Sequence, residues 1–331
     1  MAGAAVARTR GALRTRGVRM DDSPRRPSLG LDTARPCDQT SGTAVTPAQP
    51  TPASSPIDRD PVVIDSTVAH TSRIYDYLLG GTNHFSIDRE VADHAFAAYP
   101  GGLEGVRTDA RANRAFLTRV VRYLAGEAGI RQFLDIGSGI PAAGNTHDVA
   151  QEAAPDSRVV YVDNDPIVLA HAHSLLAGSP EGATAYLPGD LLHPDAILEA
   201  AAETLDLDAP AALLLLGILH VVPDSDDAQA HVRRLVDALA PGSFVVISHM
   251  TDSIESETDA DLKLVTARLD ERMRDSNPPA FRSRDEVAAF FEGLEMVEPG
   301  LVMVTEWRPD DAVPGADRVT PMVCGVARKP A

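Results

Sequence analysis

The sequence predicts a doubly wound α/β protein: a mostly parallel sheet of seven strands with an antiparallel hairpin at one edge, preceded by helices. Three observations carry this reading. Short apolar runs alternate with helical stretches over roughly residues 132 to 250, the first run closes in a glycine turn, and two further apolar runs follow near the C-terminus. Strict strand–helix alternation needs crossover connections, and crossovers make neighbouring strands parallel.

The elements follow in chain order. Periodicity begins near Asp65 and predicts helices over Thr67 to Leu79, Ser86 to Ala98 and Val106 to Gly126, with Gly80-Gly81 and Pro100-Gly101-Gly102 as stops. The strands are Gln132 to Ile136, Arg158 to Val162, Ala183 to Leu187, Ala211 to Gly217 and Ser243 to His249. Then come a helix over Asp259 to Arg274 and another opening at Ser283, where Ser283 and Glu286 have capping-box spacing. The runs Met296 to Glu306 and Val319 to Ala327 complete the sheet as a long-looped hairpin.

Residues 1 to 60 have a different composition. Prolines at 24, 27, 36, 47, 50, 52 and 56 and few large apolar side chains predict a segment unable to offset its ordering entropy. Five arginines and no acid in the first twenty residues would suit a transit peptide, but no apolar helical face accompanies them; Met20 is an alternative start. The segment holds nine arginines and six aspartates, so it carries +3 and residues 61 to 331 carry −21 of the total −18. Apolar residues at 44% exclude global disorder, and Cys37 with Cys324 make neither a disulfide framework nor a zinc cluster. The longest apolar stretch, Ala209 to Val222, is broken by Pro210, Gly217 and His220 and falls short of the ~20 residues of a membrane span. The expectation is a soluble, cytoplasmic protein.

The richest local signal is Asp135-Ile136-Gly137-Ser138-Gly139-Ile140-Pro141, a strand entering a glycine turn and then a helix. Glycines admit a ligand close to the backbone, and a helix N-terminus offers free N–H groups. Gly137-x-Gly139-x-x-Ala142 also fits a dinucleotide fingerprint. Two residues argue against a dinucleotide. Asp135 would repel a pyrophosphate but hold an ammonium group, and Pro141 lacks the N–H that a phosphate loop uses. Asp163, 24 residues after Gly139 and just past the second strand, can accept from two ribose hydroxyls; the alternative is a helix cap, which Asp165 alone can supply. Asp190, past the third strand, can accept from an adenine amino group while Leu191 packs on the ring, or it is simply a turn aspartate.

Asp135-x-Gly137-x-Gly139, Asp163 and Gly189-Asp190, in this order on strands one to three, resemble the successive motifs of class I S-adenosylmethionine-dependent methyltransferases. Arg73-Ile74-Tyr75-Asp76-Tyr77-Leu78-Leu79-Gly80-Gly81, Asn113-Arg114-x-Phe116-Leu117-x-Arg119 and Tyr161-Val162-Asp163-Asn164-Asp165-Pro166 resemble one bacterial branch. That branch is the S-adenosyl methyltransferase family first catalogued as a domain of unknown function, and the resemblance spans roughly residues 62 to 328. Pro141 departs from it, standing where many members of the class have a third glycine.

The resemblance implies a Rossmann-like fold and S-adenosyl-L-methionine as cofactor. It places Asp135 at the methionine amino group, Gly137 and Gly139 against the cofactor, Asp163 at the ribose, and Asp190 and Leu191 at the adenine, with Asn164 also among the cofactor-binding residues. Leu216 to His220 would lie beside the sulfonium, and Tyr75, Tyr77 and the loop carrying Gly81 and Asn83 would belong to a lid. The implied domains are a disordered tail at 1–61, a helical lid at 62–128 and the cofactor-binding domain at 129–330.

Methyl transfer from a sulfonium is an in-line displacement, so positioning is the main task. His220 is the best-placed candidate base, against the plainer reading of a buried strand-end histidine bonded to backbone. Asn113 and Arg114 fit either a solvated helix face or a carboxylate clamp. His171 and His173 point to different faces of one helix, and His249 reads as a loop residue near Asp252, so no metal is expected. The charge of −21 disfavours a nucleic-acid substrate, which leaves a small molecule as the preferred acceptor; no membrane partner is expected and the oligomeric state stays open. Two other readings remain: a non-catalytic S-adenosylmethionine-binding protein and an NAD-dependent oxidoreductase.

Overall fold

The computed structural model describes residues 64–172, 181–223, 226–251, 259–273, 279–310, 314–316 and 319–331. The tail expected at 1–61 lies outside them, as do His173, Asp252 and Arg274. Three helices come first: α1 (Thr71–Leu79), α2 (Ser86–Phe96) and α3 (Gly102–Gly126). The alternating part follows as β1 (Gln132–Ile136), α4 (Thr146–Ala153), β2 (Arg158–Asp163), α5 (Pro166–Ala172), β3 (Ala183–Pro188), α6 (Pro194–Ala201), β4 (Ala212–Leu216), α7 (Ala228–Ala238) and β5 (Phe244–Met250). The chain closes with α8 (Asp259–Arg272), α9 (Arg284–Ala289), β6 (Glu295–Met296), β7 (Val302–Met303) and β8 (Met322–Arg328).

The sheet runs β3-β2-β1-β4-β5-β8-β6, with β7 also on β8. Strands β1 to β5 are mutually parallel, and β8 is antiparallel to β5, β6 and β7. The order reverses between β1 and β4, so the carboxyl ends of these two strands diverge into a crevice where ligands bind in open α/β sheets. Apolar side chains pack both faces. One core cluster joins Phe133, Val159 and Leu214 to α1–α3 and Trp307, and the other joins Leu134, Val160 and Leu213 to α6 and α7.

Four expectations need correction. The sheet has eight strands because the run Met296 to Glu306 breaks in two: Pro299 has no N–H for the ladder, and Gly300 turns the chain at φ +89°. The first helix starts at Thr71, since His70 is extended at φ −130° and caps it by accepting the Ser72 N–H. The third starts earlier than expected, at Gly102, launched by left-handed Gly101. The helix after the glycine turn begins only at Thr146, where Asn145 and Asp148 form a capping box, so its free N–H groups and Ala142 are not at the turn as a dinucleotide motif requires.

Buried polar side chains tie the leading helices to the rest. Arg73 sits 3.3 Å from Asp88, and Asp88 also accepts the N–H groups of His70 and Phe85 at 3.0 and 2.8 Å, joining α1 to the start of α2. Arg119 of α3 donates to the carbonyls of Trp307 and Val304 at 3.0 and 2.6 Å. Trp307 is fully buried edge-on against Phe116, so the motif residues of α3 face the core.

Candidate active site

Where β1, β2, β3 and β4 end, one cavity of about 430 Å³ opens beneath α1 and α3. This lies within the range of small-molecule sites, ~300–1,000 Å³. Gly137 and Gly139 form its floor at φ +73° and +68°, a conformation that side-chain-bearing residues rarely adopt. A Cβ at Gly137 would strike Ile218 at 2.6 Å, whereas one at Gly139 would meet nothing within 4 Å. Gly137 is therefore required by packing, and Gly139 faces open space.

Asp135 lies at this floor with 4% of its surface exposed. Its Oδ2 accepts the Thr146 hydroxyl at 2.6 Å, and burial pushes its pKa up to about 6 despite that bond. Asp163 is also buried; its Oδ2 accepts the Gly139 N–H at 2.8 Å and its Oδ1 the Asp165 N–H at 2.9 Å. Burial raises its pKa too. A carboxylate has about four acceptor sites, so each oxygen of Asp163 retains one for a ligand. Asn164 bridges toward Asp190 at 3.4 Å, and Asp190 accepts the Leu192 N–H at 3.0 Å. Asn164, Asp190 and Leu191 all line the cavity.

Asp165 is buried outside the cavity lining and has a structural task. Its Oδ1 accepts the Ile167 N–H at 2.9 Å, starting α5, while its Oδ2 accepts the Ser72 hydroxyl at 2.5 Å and lies 3.0 Å from His70 Nδ1. Burial alone would raise its pKa, but His70 and Ser72 outweigh burial and hold it at about 2. Nothing in the local sequence signals this long-range tie.

The lid candidates separate. Tyr75 lines the cavity, donating its hydroxyl to the Ala110 carbonyl and accepting from Asn113, both at 3.2 Å. Tyr77, Gly81 and Asn83 do not line it. Tyr77 donates to Asp93 at 2.9 Å under the Arg107 guanidinium. The loop after α1 instead wraps Asp76, which accepts the Asn83 N–H at 2.8 Å; a Cβ at Gly81 would fall 2.0 Å from its carboxylate. Tyr75 and Tyr77 stand two residues apart on α1 and so face different sides of the helix, and only Tyr75 reaches the cavity.

Asn113 and Arg114 are not a solvated face. Asn113 is 4% exposed and lines the cavity, and Arg114 donates to the Ala143 and Gly144 carbonyls at 3.3 and 3.0 Å, fastening the loop after the glycine turn. His220 follows β4 and also lines the cavity. Its Nδ1 accepts the Met250 N–H at 3.4 Å, and burial, then the nearby Arg282, lower its pKa to about 4. At neutral pH the ring is uncharged with its proton on Nε2, which makes it a weak base. His249 lies within β5, fully buried, instead of in a loop; its Nδ1 donates to the Met250 carbonyl at 2.6 Å and its Nε2 accepts from Arg282. Arg282 also donates to the Leu219 and Val222 carbonyls, clamping the turn that carries His220. Among the described residues, no group of three or more His, Cys, Asp or Glu is placed to hold a metal ion.

A sequence profile of a family described as S-adenosyl methyltransferase matches residues 58–330. The chain belongs to the S-adenosyl methyltransferase family. Two solved structures are similar along nearly their whole length. One is a DUF574 family protein from Streptomyces avermitilis MA-4680, 44% identical, covering 80% of this chain and 99% of its own, with a TM-score of 0.74. The other is a candidate methyltransferase from Thermobifida fusca YX, 39% identical, covering 81% and 97%, with a TM-score of 0.70. No curated protein matches the chain. The protein is thus an S-adenosylmethionine-dependent methyltransferase with a Rossmann-like sheet, and the nicotinamide reading falls. Its cavity suits that cofactor: a glycine floor for close backbone approach, and five aspartates in the lining, Asp109, Asp135, Asp163, Asp190 and Asp226, which favour a cationic ligand. No helix among the described residues is long and apolar enough to cross a membrane.

Proposed function

We propose that this methyltransferase acts on a small-molecule acceptor in the cytoplasm, with Asp135, Gly137, Gly139, Asp163, Asn164, Asp190 and Leu191 holding S-adenosyl-L-methionine. The observation that carries the assignment is the convergence of these residues, from the ends of three adjacent strands, on one cavity. Asp163 offers its two remaining acceptor sites to the vicinal ribose hydroxyls, one per oxygen. Asp190 accepts from the adenine amino group, Leu191 packs on the ring, and Asn164 fixes Asp190 from the ribose side. Asp135 receives the methionine ammonium on its free oxygen.

When bound, the cofactor supplies an electrophilic methyl group on a sulfonium sulfur. The chain aligns this group with an acceptor and keeps water away from it. Residues 62–128 act as a lid over residues 129–330, with Tyr75 on its inner side. Small-molecule acceptors are favoured over nucleic acid because residues 61 to 331 carry −21.

Calorimetric titration with S-adenosylmethionine and S-adenosylhomocysteine tests the assignment. Both are expected to bind wild type, and Asp163→Ala is expected to lose binding while its thermal unfolding stays cooperative. Unchanged affinity in Asp163→Ala would remove the ribose role.

A further inference from the structure

Asp135, the carboxylate assigned to the methionine ammonium, belongs to a polar row that crosses three strands. Parallel register sets Asp135 of β1 beside Tyr161 of β2 and Tyr161 beside Tyr186 of β3, so the three side chains share one face of the sheet. Tyr161 and Tyr186 stack with their ring centroids 4.5 Å apart. Helix α4 begins against this row, and its first two residues, Thr146 and His147, are buried.

Tyr161 fixes where that helix starts. Its oxygen accepts the His147 N–H at 2.7 Å and lies 2.8 Å from His147 Nδ1. Nε2 of the same ring is 3.3 Å from Asp148, and burial pushes the imidazole pKa down. The neutral ring therefore carries its proton on Nε2, and Nδ1 accepts the Tyr161 O–H. One phenol thereby joins β2 to the first turn of α4. Ahead of that turn, Arg114 holds the carbonyls of Ala143 and Gly144. Thr146 stands on this fixed backbone and donates its hydroxyl to Asp135 Oδ2 at 2.6 Å. The terminal torsion of an aspartate is broad, so without that bond either oxygen could turn to a ligand. Oδ1 has no partner among the described residues and is not one of the buried atoms left without one, so it is open to the cavity that Asp135 lines.

Resting on the assignment of Asp135 to the methionine ammonium, we propose that Thr146 is a positioning residue for cofactor selection: its hydroxyl turns Asp135 Oδ1 to the ammonium, and Tyr161 sets Thr146 in place. Together they let the site distinguish S-adenosylmethionine and S-adenosylhomocysteine from adenine nucleosides that lack an amino-acid end. The Thr146 bond also favours the ionised carboxylate, which is the form that attracts an ammonium. The other groups facing Asp135 do not share this role. Arg114 of α3 favours the carboxylate through its charge alone, Asp163 of β2 opposes it, and burial keeps Tyr161 and Tyr186 protonated through the neutral range.

The test compares S-adenosylhomocysteine with methylthioadenosine, which keeps the adenine, ribose and thioether but has neither ammonium nor carboxylate. Both are titrated by calorimetry into the full-length protein from about pH 5.5 to about pH 8. Taking the ratio of the two affinities at each pH cancels what Asp163 contributes through the ribose that both ligands carry. In wild type the ratio is expected to favour S-adenosylhomocysteine by about tenfold or more at the alkaline end and to rise through about pH 6. Thr146→Val is expected to cut the ratio about fivefold near pH 6, to move its rise to higher pH, and to leave methylthioadenosine within about twofold of wild type. Thr146→Ser is expected to keep the wild-type ratio and midpoint. If Thr146→Val fails to fold, Tyr161→Phe serves instead and is expected to lower the ratio while sparing methylthioadenosine. An unchanged ratio and midpoint in the variant that folds, or an equal loss for both ligands, would overturn the proposal. A Thr146→Ser protein that behaves like Thr146→Val would also overturn it, by tracing the effect to the methyl group instead of the hydroxyl. Wild type that binds neither ligand would instead defeat the cofactor assignment, and equal binding of the two would remove Asp135 from the ammonium.

Discussion

Asp135 and Asp165 are both buried carboxylates near the same strand ends, yet their environments drive them in opposite directions. Asp135 has one hydroxyl partner against nearly complete burial, which raises its pKa to about 6, whereas Asp165 has His70, Ser72 and a helix N–H and falls to about 2. Because the folded pKa of Asp135 is raised, its contribution to folding stability is complete below pH 3.8 and lost as pH rises through about 6. Binding of a cationic ammonium has the opposite dependence, since only the ionised carboxylate attracts it. Affinity for S-adenosylmethionine is therefore expected to rise as pH rises through about 6, measured by calorimetry in a series of buffers. Asp135→Asn is expected to flatten that rise and to lose about tenfold or more in affinity at pH 8. It should melt no lower than wild type there, because the amide still accepts from Thr146 and no buried charge remains. The candidate acids themselves were legible in the sequence, because an acid just past an apolar run needs only local pattern. Asn113 was not: its meaning depends on Tyr75, 38 positions away, and on where that hydroxyl sends its proton.

At the scale of elements, the first five strands follow the apolar runs to within a residue or two, since burial on both faces leaves near-continuous apolar stretches in β1, β2, β4 and β5, while β3 at the sheet edge is half-buried. The failures came where a local pattern met a competing backbone rule, as at Pro299 and Gly300, or where a capping residue moved a helix start. The tie between α1 and α5 was invisible because Ser72 reaches Asp165 across 93 positions. Asp165→Ala removes the α5 cap and both contacts to the start of α1, and it is expected to cost about 2 kcal/mol or more in urea unfolding at pH 7. The pKa of Asp165 is depressed, so the stability it supplies is present above pH 3.8 and lost as pH falls toward 2. The gap between wild type and Asp165→Ala should accordingly close in acid.

At the scale of the whole molecule, the family match covers residues 58–330, so the chain from residue 58 onward is expected to hold the complete cofactor site. A protein starting there should melt within a few degrees of the full chain and bind S-adenosylhomocysteine equally well; a marked loss of either would give the first 57 residues a part in the folded enzyme. Doubly wound topology explains why one cavity gathers residues from so many parts of the chain: the ends of β1 to β4 lie along one side of the sheet, and residues of α1 and α3 also line the cavity there. The hydrogen bonds at Asp163 and Asp165 also run in series: Asp163 accepts the Asp165 N–H, and Asp165 accepts the Ser72 hydroxyl. Any displacement of the first helix is thereby transmitted to the carboxylate assigned to the ribose, so the cover and the floor of the cavity move as one piece.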